Sequence, residues 1–127
     1  MHCHKKKIYY HDTDCGGVVY YANYLKYLEE ARTEFFAANK IDLKELSKQG
    51  TLFVVSSVEM SYRSPARYGD EIGVYTSIEK ARSASLMFFQ EIKRGDMILA
   101  ECRTLLVCVN GQMSPQIIPS SLKESLA

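Results

Sequence analysis

The sequence carries almost no net charge: 16 Lys and Arg stand against 15 Asp and Glu, for a formal +1 at pH 7. A chain without a global field does not steer a polyanion. No local basic stripe with interleaved aromatics supplies one either, so no nucleic-acid partner is expected. No apolar run approaches the roughly 18 residues that a membrane-spanning helix needs, so no transmembrane segment is expected. The opening MHCHKKKIYY has charges but no apolar core behind them, unlike a secretory signal. The four cysteines, Cys3, Cys15, Cys102 and Cys108, show no CxxC spacing. Cys102 and Cys108 would share one strand face about 20 Å apart, too far to bridge. Scattered free thiols fit a reducing compartment, and a cytoplasmic protein is expected. Repeats, low-complexity tracts and linkers are also lacking, so the 127 residues read as one domain, 1–127.

What is present is an ordinary globular composition, 46% hydrophobic and 24% charged, with two clear periodicities. Residues 4–10 read as a short first strand, and the MHCH before and within it as an end that need not be ordered. From Tyr20 to Asn39 the apolar residues fall at helical spacing: Tyr21, Tyr24, Leu25, Leu28, Ala31, Phe35 and Ala38, widened by Tyr27 and Phe36. A helix with so wide an apolar surface belongs at the centre of a core. In DLKELSKQG, Asp42 is placed to cap a short helix and Gly50 to end it. The period then changes to two. Leu52, Val54, Val58, Met60 and Tyr62 alternate with polar residues, as do Ile72, Val74, Thr76 and Ile78, and then Leu86, Phe88 and Ile92. Residues 97–109 form a fourth long strand, and PSSLKESLA a final turn or two of helix. The connections RSPARYGD, KARS and KRGD are short, which predicts an antiparallel meander with one buried face. One long helix and one sheet must cover each other. The expectation is therefore an α+β fold, a curved antiparallel sheet of about five strands wrapped around one long central helix.

The chemistry concentrates in YHDTDCGGVVYYANYLKYLEEAR, residues 10–32. Asp12, Asp14, Gly16 and Gly17 stand just before the long helix, whose first N–H groups lack internal partners and attract polarised oxygens. A carboxylate beside such donors is a hydrolytic arrangement. The residues alone leave other readings open. HDTD can be a turn that caps the following backbone. His11, Asp12 and Asp14, with His2 or His4, are a candidate metal set. Cys15 with His11 is a candidate nucleophile and base.

The stretch resembles the signature of the 4-hydroxybenzoyl-CoA thioesterase family of hotdog-fold proteins, in particular its Tol–Pal-associated acyl-CoA thioesterase branch, the YbgC type. Tyr10, Asp12, Thr13, Asp14, Gly16, Gly17, Val18, Val19, Tyr20, Ala22 and Tyr24, then Glu30, Ala31 and Arg32, carry the likeness. YRSPARYGDEIGV, with Pro65, Ala66 and Asp70, continues it. The resemblance implies the hotdog fold and hydrolysis of an acyl-CoA thioester, with no metal and no cofactor beyond the coenzyme A of the substrate. It assigns Asp14 as nucleophile or general base, Asp12 as a loop-ordering residue, and the backbone N–H of Tyr21 as the oxyanion donor. That branch usually carries His where this chain has Tyr21. Gly17 lets the ligand approach. Arg82 with Ser85, and Arg63 and Arg67, are the candidates for the coenzyme A phosphates, which need paired donors and charge. The resemblance also implies a homodimer or homotetramer whose clefts lie between subunits, lined in part by the strand near Val54–Met60. A non-catalytic module binding acyl-CoA or an acyl carrier protein is the alternative on the same fold. Tyr21, Tyr24, Phe53 and Met60 either line an acyl tunnel or fill the core.

Overall fold

A computed structural model describes residues 1–126. Five antiparallel strands form one sheet: β1 (His2–Lys7), β2 (Leu52–Tyr62), β3 (Glu71–Ala81), β4 (Ser85–Arg94) and β5 (Met97–Val109). Helix α1 (Asn23–Ala38) lies across the concave face, and the short helices α2 (Leu43–Lys48) and α3 (Ser120–Ser125) close one end. Register shifts at Val55/Ser57, Ile78/Lys80 and Ile92/Lys93 mark bulges, and bulges bend strands and so help a sheet to curl. This is the expected α+β arrangement of a sheet wrapped around a helix.

The strand order is β1-β3-β4-β5-β2, which corrects the expected meander. Only β3, β4 and β5 follow one another; β2 pairs with β5 and lies at an edge. RSPARYGD is therefore no hairpin. It must cross the end of the sheet from β2 to β3, past two strands, a span of roughly 14 Å at strand spacing. Hydrogen bonds pin it on the way: Arg63 and Ser64 N–H both donate to Leu99 O, and the Arg94 side chain donates from Nη1 to Pro65 O at 3.2 Å. The first strand also begins earlier than expected. His2, Cys3 and His4 pair with Thr76, Tyr75 and Val74, so the opening residues are ordered by the edge of β3.

Helix α1 starts at Asn23, three residues later than the periodicity predicts, and its buried stripe is rotated. Tyr24, Tyr27, Leu28, Ala31, Arg32 and Phe36 are buried, whereas Leu25 and Ala38 are exposed. Two apolar clusters result. One gathers Ile8, Tyr24, Tyr27, Leu28, Ile72, Val74 and Ile92, the other Phe36, Leu86, Phe88, Leu106 and Ile118. Between them runs a buried polar layer. Gln90 Nε2 donates to Leu28 O and to Thr76 Oγ1, both at 3.0 Å, and its Oε1 accepts from Arg32 Nη1 at 3.2 Å. Burial lowers the pKa of Arg32 below the usual guanidinium value, with Cys102 and Glu29 opposing the shift. Asp42 caps α2 as expected, accepting from Lys44 and Glu45 N–H.

Candidate active site

The segment between β1 and α1 folds into a small hairpin of its own. Thr13 bridges Val19, Asp14 N–H donates to Val18 O at 2.9 Å, and Gly17 N–H returns to Asp14 O at 3.1 Å. Gly17 closes this turn with φ +78°, a left-handed conformation that glycine adopts without strain. Val18 and Val19 then run extended against the crossing loop, Val18 bridging Arg67 and Val19 N–H donating to Ala66 O. The helix therefore does not begin directly after the two glycines. Five residues intervene, Val18 to Ala22, because the hairpin must close and pair before the chain can turn.

The two aspartates meet opposite surroundings. Asp12 is 6% exposed and bonded on several sides. Its Oδ2 accepts from Tyr9 N–H at 2.8 Å, and its backbone oxygen accepts from Tyr20 N–H at 3.1 Å and from Asn23 Nδ2 at 2.9 Å. One residue thus ties the end of β1 to the start of α1. Beneath it, burial and then the Asp12 carboxylate push the pKa of the Tyr27 phenol well above its ordinary value. Asp14 is exposed. Its Oδ1 accepts from Gly16 N–H at 2.8 Å, which sets the carboxylate's direction, and Oδ2 has no hydrogen bond among the described residues.

The N-terminus of α1 has no side-chain cap and no acidic residue in its first turn. Asn23, Tyr24 and Leu25 N–H donate to Tyr20, Tyr21 and Ala22 oxygens. The N–H groups of Tyr21 and Ala22 have no acceptor among the described residues. Beside them opens a cavity of about 280 Å³ lined by Val18, Val19, Tyr21, Tyr24, Tyr62 and the Arg63–Pro65 segment. Tyr21 and Tyr24 line this cavity. Phe53 does not, stacking instead on Phe36 at 5.7 Å.

The remaining candidates separate by position. Arg63 and Arg67 lie on the crossing loop next to the hairpin. Arg63 is held by Glu101 at 2.8 Å, while Arg67 is exposed and its backbone N–H is fixed by Asp70 Oδ2 at 2.8 Å. Arg82 and Ser85 form the β3–β4 hairpin and line a second cavity of about 290 Å³ with Glu79, Lys80, Met87 and Leu105. That hairpin is at the far end of β3, roughly 33 Å along the strand from the Asp14 end. One chain therefore does not bring Arg82 to Asp14. Glu29 faces outward on α1 and meets Thr33.

The competing readings of the loop find less support. His11 stacks on Tyr9 at 5.9 Å with Nδ1 3.9 Å from Asp12 Oδ1, and it makes no hydrogen bond to Cys15. No group of three His, Cys, Asp or Glu side chains among the described residues is placed to hold a metal ion. Two participants escaped sequence reasoning. Asn23 looked like a plain helix residue, and Tyr62, whose hydroxyl donates to Tyr21 O at 3.2 Å across 41 residues, looked like a strand residue.

The chain as a whole has relatives among known proteins. The profile of the thioesterase-like superfamily matches residues 9–126. The acyl-CoA thioester hydrolase YbgC of Escherichia coli is 37% identical over 118 residues, covering 91% of this chain and 88% of that protein. A hypothetical protein of Thermus thermophilus superposes with a TM-score of 0.93 at 30% identity, covering 98% of this chain and 95% of its own. A 1,4-dihydroxy-2-naphthoyl-CoA thioesterase from Synechocystis shares the fold, with a TM-score of 0.90 at 22% identity over 98% of this chain and 93% of that one.

Proposed function

The chain belongs to the thioesterase-like superfamily, in its YbgC-type branch of hotdog proteins, and from that premise we propose that it hydrolyses an acyl-CoA thioester to the free acid and coenzyme A. Asp14 acts on the thioester carbonyl, directly as a nucleophile or by taking the proton of an attacking water. In the second route the water oxygen bonds to the carbonyl carbon and Asp14 holds the proton. The carbonyl oxygen becomes an oxyanion, which the Tyr21 N–H stabilises. The intermediate then expels the coenzyme A thiolate, which takes up a proton. In the first route the carboxylate oxygen displaces the thiolate, and water then hydrolyses the resulting anhydride. The chemistry needs neither metal nor cofactor, and the backbone donor remains although Tyr21 stands where the branch usually has His.

The observation that carries this reading is the contrast between the aspartates. Asp12 is bonded into the loop, while Asp14 presents an uncommitted oxygen in the loop that leads to uncapped helix N–H groups and a cavity. Gly17 shapes the turn that makes this exposure through its φ of +78°, and at Gly16 a side chain would crowd Asp14 Oδ1 at 3.2 Å. The exposed guanidinium of Arg67 suits a coenzyme A phosphate, and Arg63 is half-committed to Glu101.

Arg82 and Ser85 join the same site through a second copy. Strand β2 is an edge, with Val55, Val58 and Tyr62 each 44–50% exposed. Antiparallel pairing of two β2 edges about a two-fold axis sets the Tyr62 end of one strand beside the Leu52 end of the other. The Asp14 end of one protomer then shares a side with the Arg82 end of its partner. A homodimer, or a homotetramer of two such dimers, is thus the assembly in which all these residues serve one substrate. Acyl-CoA is the proposed partner molecule and the cytoplasm the proposed location. An acyl carrier protein presenting the same thioester is the second substrate to test.

Thiol release from short, long and aromatic acyl-CoAs, and from an acyl carrier protein, tests the reading. Turnover of one class supports it. Binding of acyl-CoA without release across the whole panel contradicts it and leaves a non-catalytic binding module.

A further inference from the structure

We propose that Tyr62 is a positioning residue, whose hydroxyl fixes the Tyr21–Ala22 peptide and so aims the Ala22 N–H and steadies the neighbouring Tyr21 N–H on which the proposed hydrolysis depends. The inference rests on that hydrolytic reading and assigns a residue outside the reacting loop to it.

Tyr20 to Ala22 belong to no helix or strand, so ladder bonds do not hold them. The bonds that follow are long: Tyr24 N–H reaches Tyr21 O at 3.3 Å and Leu25 N–H reaches Ala22 O at 3.2 Å. No side chain caps the helix. The Tyr62 hydroxyl is the other donor to Tyr21 O, at 3.2 Å, and it comes from the last residue of β2 rather than from the neighbouring turn. A peptide is planar, so a bond to Tyr21 O also fixes the direction of the Ala22 N–H on the other side of the same amide. The Tyr21 N–H precedes it by one α-carbon. The Tyr62 ring is wedged in place as well, edge-on to Tyr21 at 6.3 Å and to Tyr24 at 5.5 Å, and it forms one wall of the cavity. Tyr24 is itself anchored, its hydroxyl accepting from Ala66 N–H at 3.0 Å. Strand β2 therefore reaches the peptide that directly follows the candidate oxyanion donor through one side chain, and the geometry of the edge strand is transmitted to the turn.

Tyr62→Phe removes the hydroxyl and keeps the ring. The expected result is a kcat lowered roughly three- to tenfold, the worth of one neutral hydrogen bond, with KM within about twofold of wild type. Tyr62→Leu, which also removes the cavity wall, is expected to raise KM in addition. The second readout is independent of turnover: the amide proton and nitrogen resonances of Tyr21 and Ala22 shift in Tyr62→Phe without ligand. An unchanged kcat in Tyr62→Phe overturns the proposal, as does a loss of kcat with those two amides unmoved. If wild type and Asp14→Asn are equally inactive on every thioester, the hydrolytic reading falls and this proposal falls with it. Amides that shift beside a kcat that does not would overturn the positioning role alone.

Discussion

Asp12 and Asp14 are chemically alike and two residues apart, and only their surroundings separate them. One is enclosed and bonded to Tyr9 N–H, with its backbone oxygen accepting from Tyr20 and Asn23. The other is turned outward by a 2.8 Å bond from Gly16 N–H that leaves an oxygen uncommitted. The same distinction between side chain and backbone applies at Tyr21. The residue is 62% exposed, whereas its N–H stands just ahead of α1. Tyr21→Ala keeps that N–H. It should therefore retain activity to within about tenfold, because a lost oxyanion donor costs two to three powers of ten. Steady-state kinetics on the best thioester checks this, and a loss of a thousandfold or more would assign the reaction to the phenol instead.

At the scale of elements, the buried layer beneath α1 is the least expected feature. Gln90 joins the backbone of α1 to β3 and gives Arg32 its hydrogen-bonded partner. Gln90→Ala leaves a buried cation without that acceptor, and urea unfolding should show a loss of about 3 kcal/mol. Replacing Arg32 and Gln90 together by Met should recover much of it, since an apolar pair has no charge to satisfy. The phase of this layer was legible: Leu86, Phe88 and Ile92 alternate, and Gln90 falls on the same face, but a polar residue hid the continuity. The long helix, the Asp42 cap and the four long strands were legible because each is written in local periodicity. The stripe of α1 was legible only in part: Tyr27 and Phe36 widen it in the sequence and are buried, whereas the burial of Arg32 and the exposure of Leu25 and Ala38 depend on what the sheet offers beneath them. The position of β2 was not legible. Strand pairing is a long-range choice, and RSPARYGD has the composition of a turn whether it closes a hairpin or crosses a sheet end. The Asp14 loop was legible through its resemblance to a family signature, while the Tyr62 bond joins residues too distant for any local pattern.

For the whole molecule, buried protonated groups set the alkaline limit of stability. Burial raises the pKa of the Cys102 and Cys108 thiols above their usual 9.0, and burial with Asp12 raises Tyr27 above its usual 10.0. The native state holds these protons more tightly than the unfolded chain, so unfolding releases them as pH rises. Their contribution is fully present below about pH 9 and is lost as pH climbs from the unfolded toward the folded values. Urea midpoints measured under reducing conditions should be level between pH 7 and 8.5 and fall beyond pH 9. The same burial predicts that a thiol reagent titrates the exposed Cys3 and Cys15 in the native protein and reaches Cys102 and Cys108 only on unfolding. The proposed assembly enters here too, since it is the pairing of two chains that would bring the Arg82 hairpin to the Asp14 loop.

The most direct measurement compares thiol release by wild type and Asp14→Asn on the preferred acyl-CoA, with coenzyme A binding measured on both. The account predicts a fall in kcat of roughly a hundredfold or more, the range expected for a lost base or nucleophile, with binding and unfolding midpoint retained. A variant that binds coenzyme A and turns over like wild type would contradict it, and would move the chemistry away from the Asp14 loop.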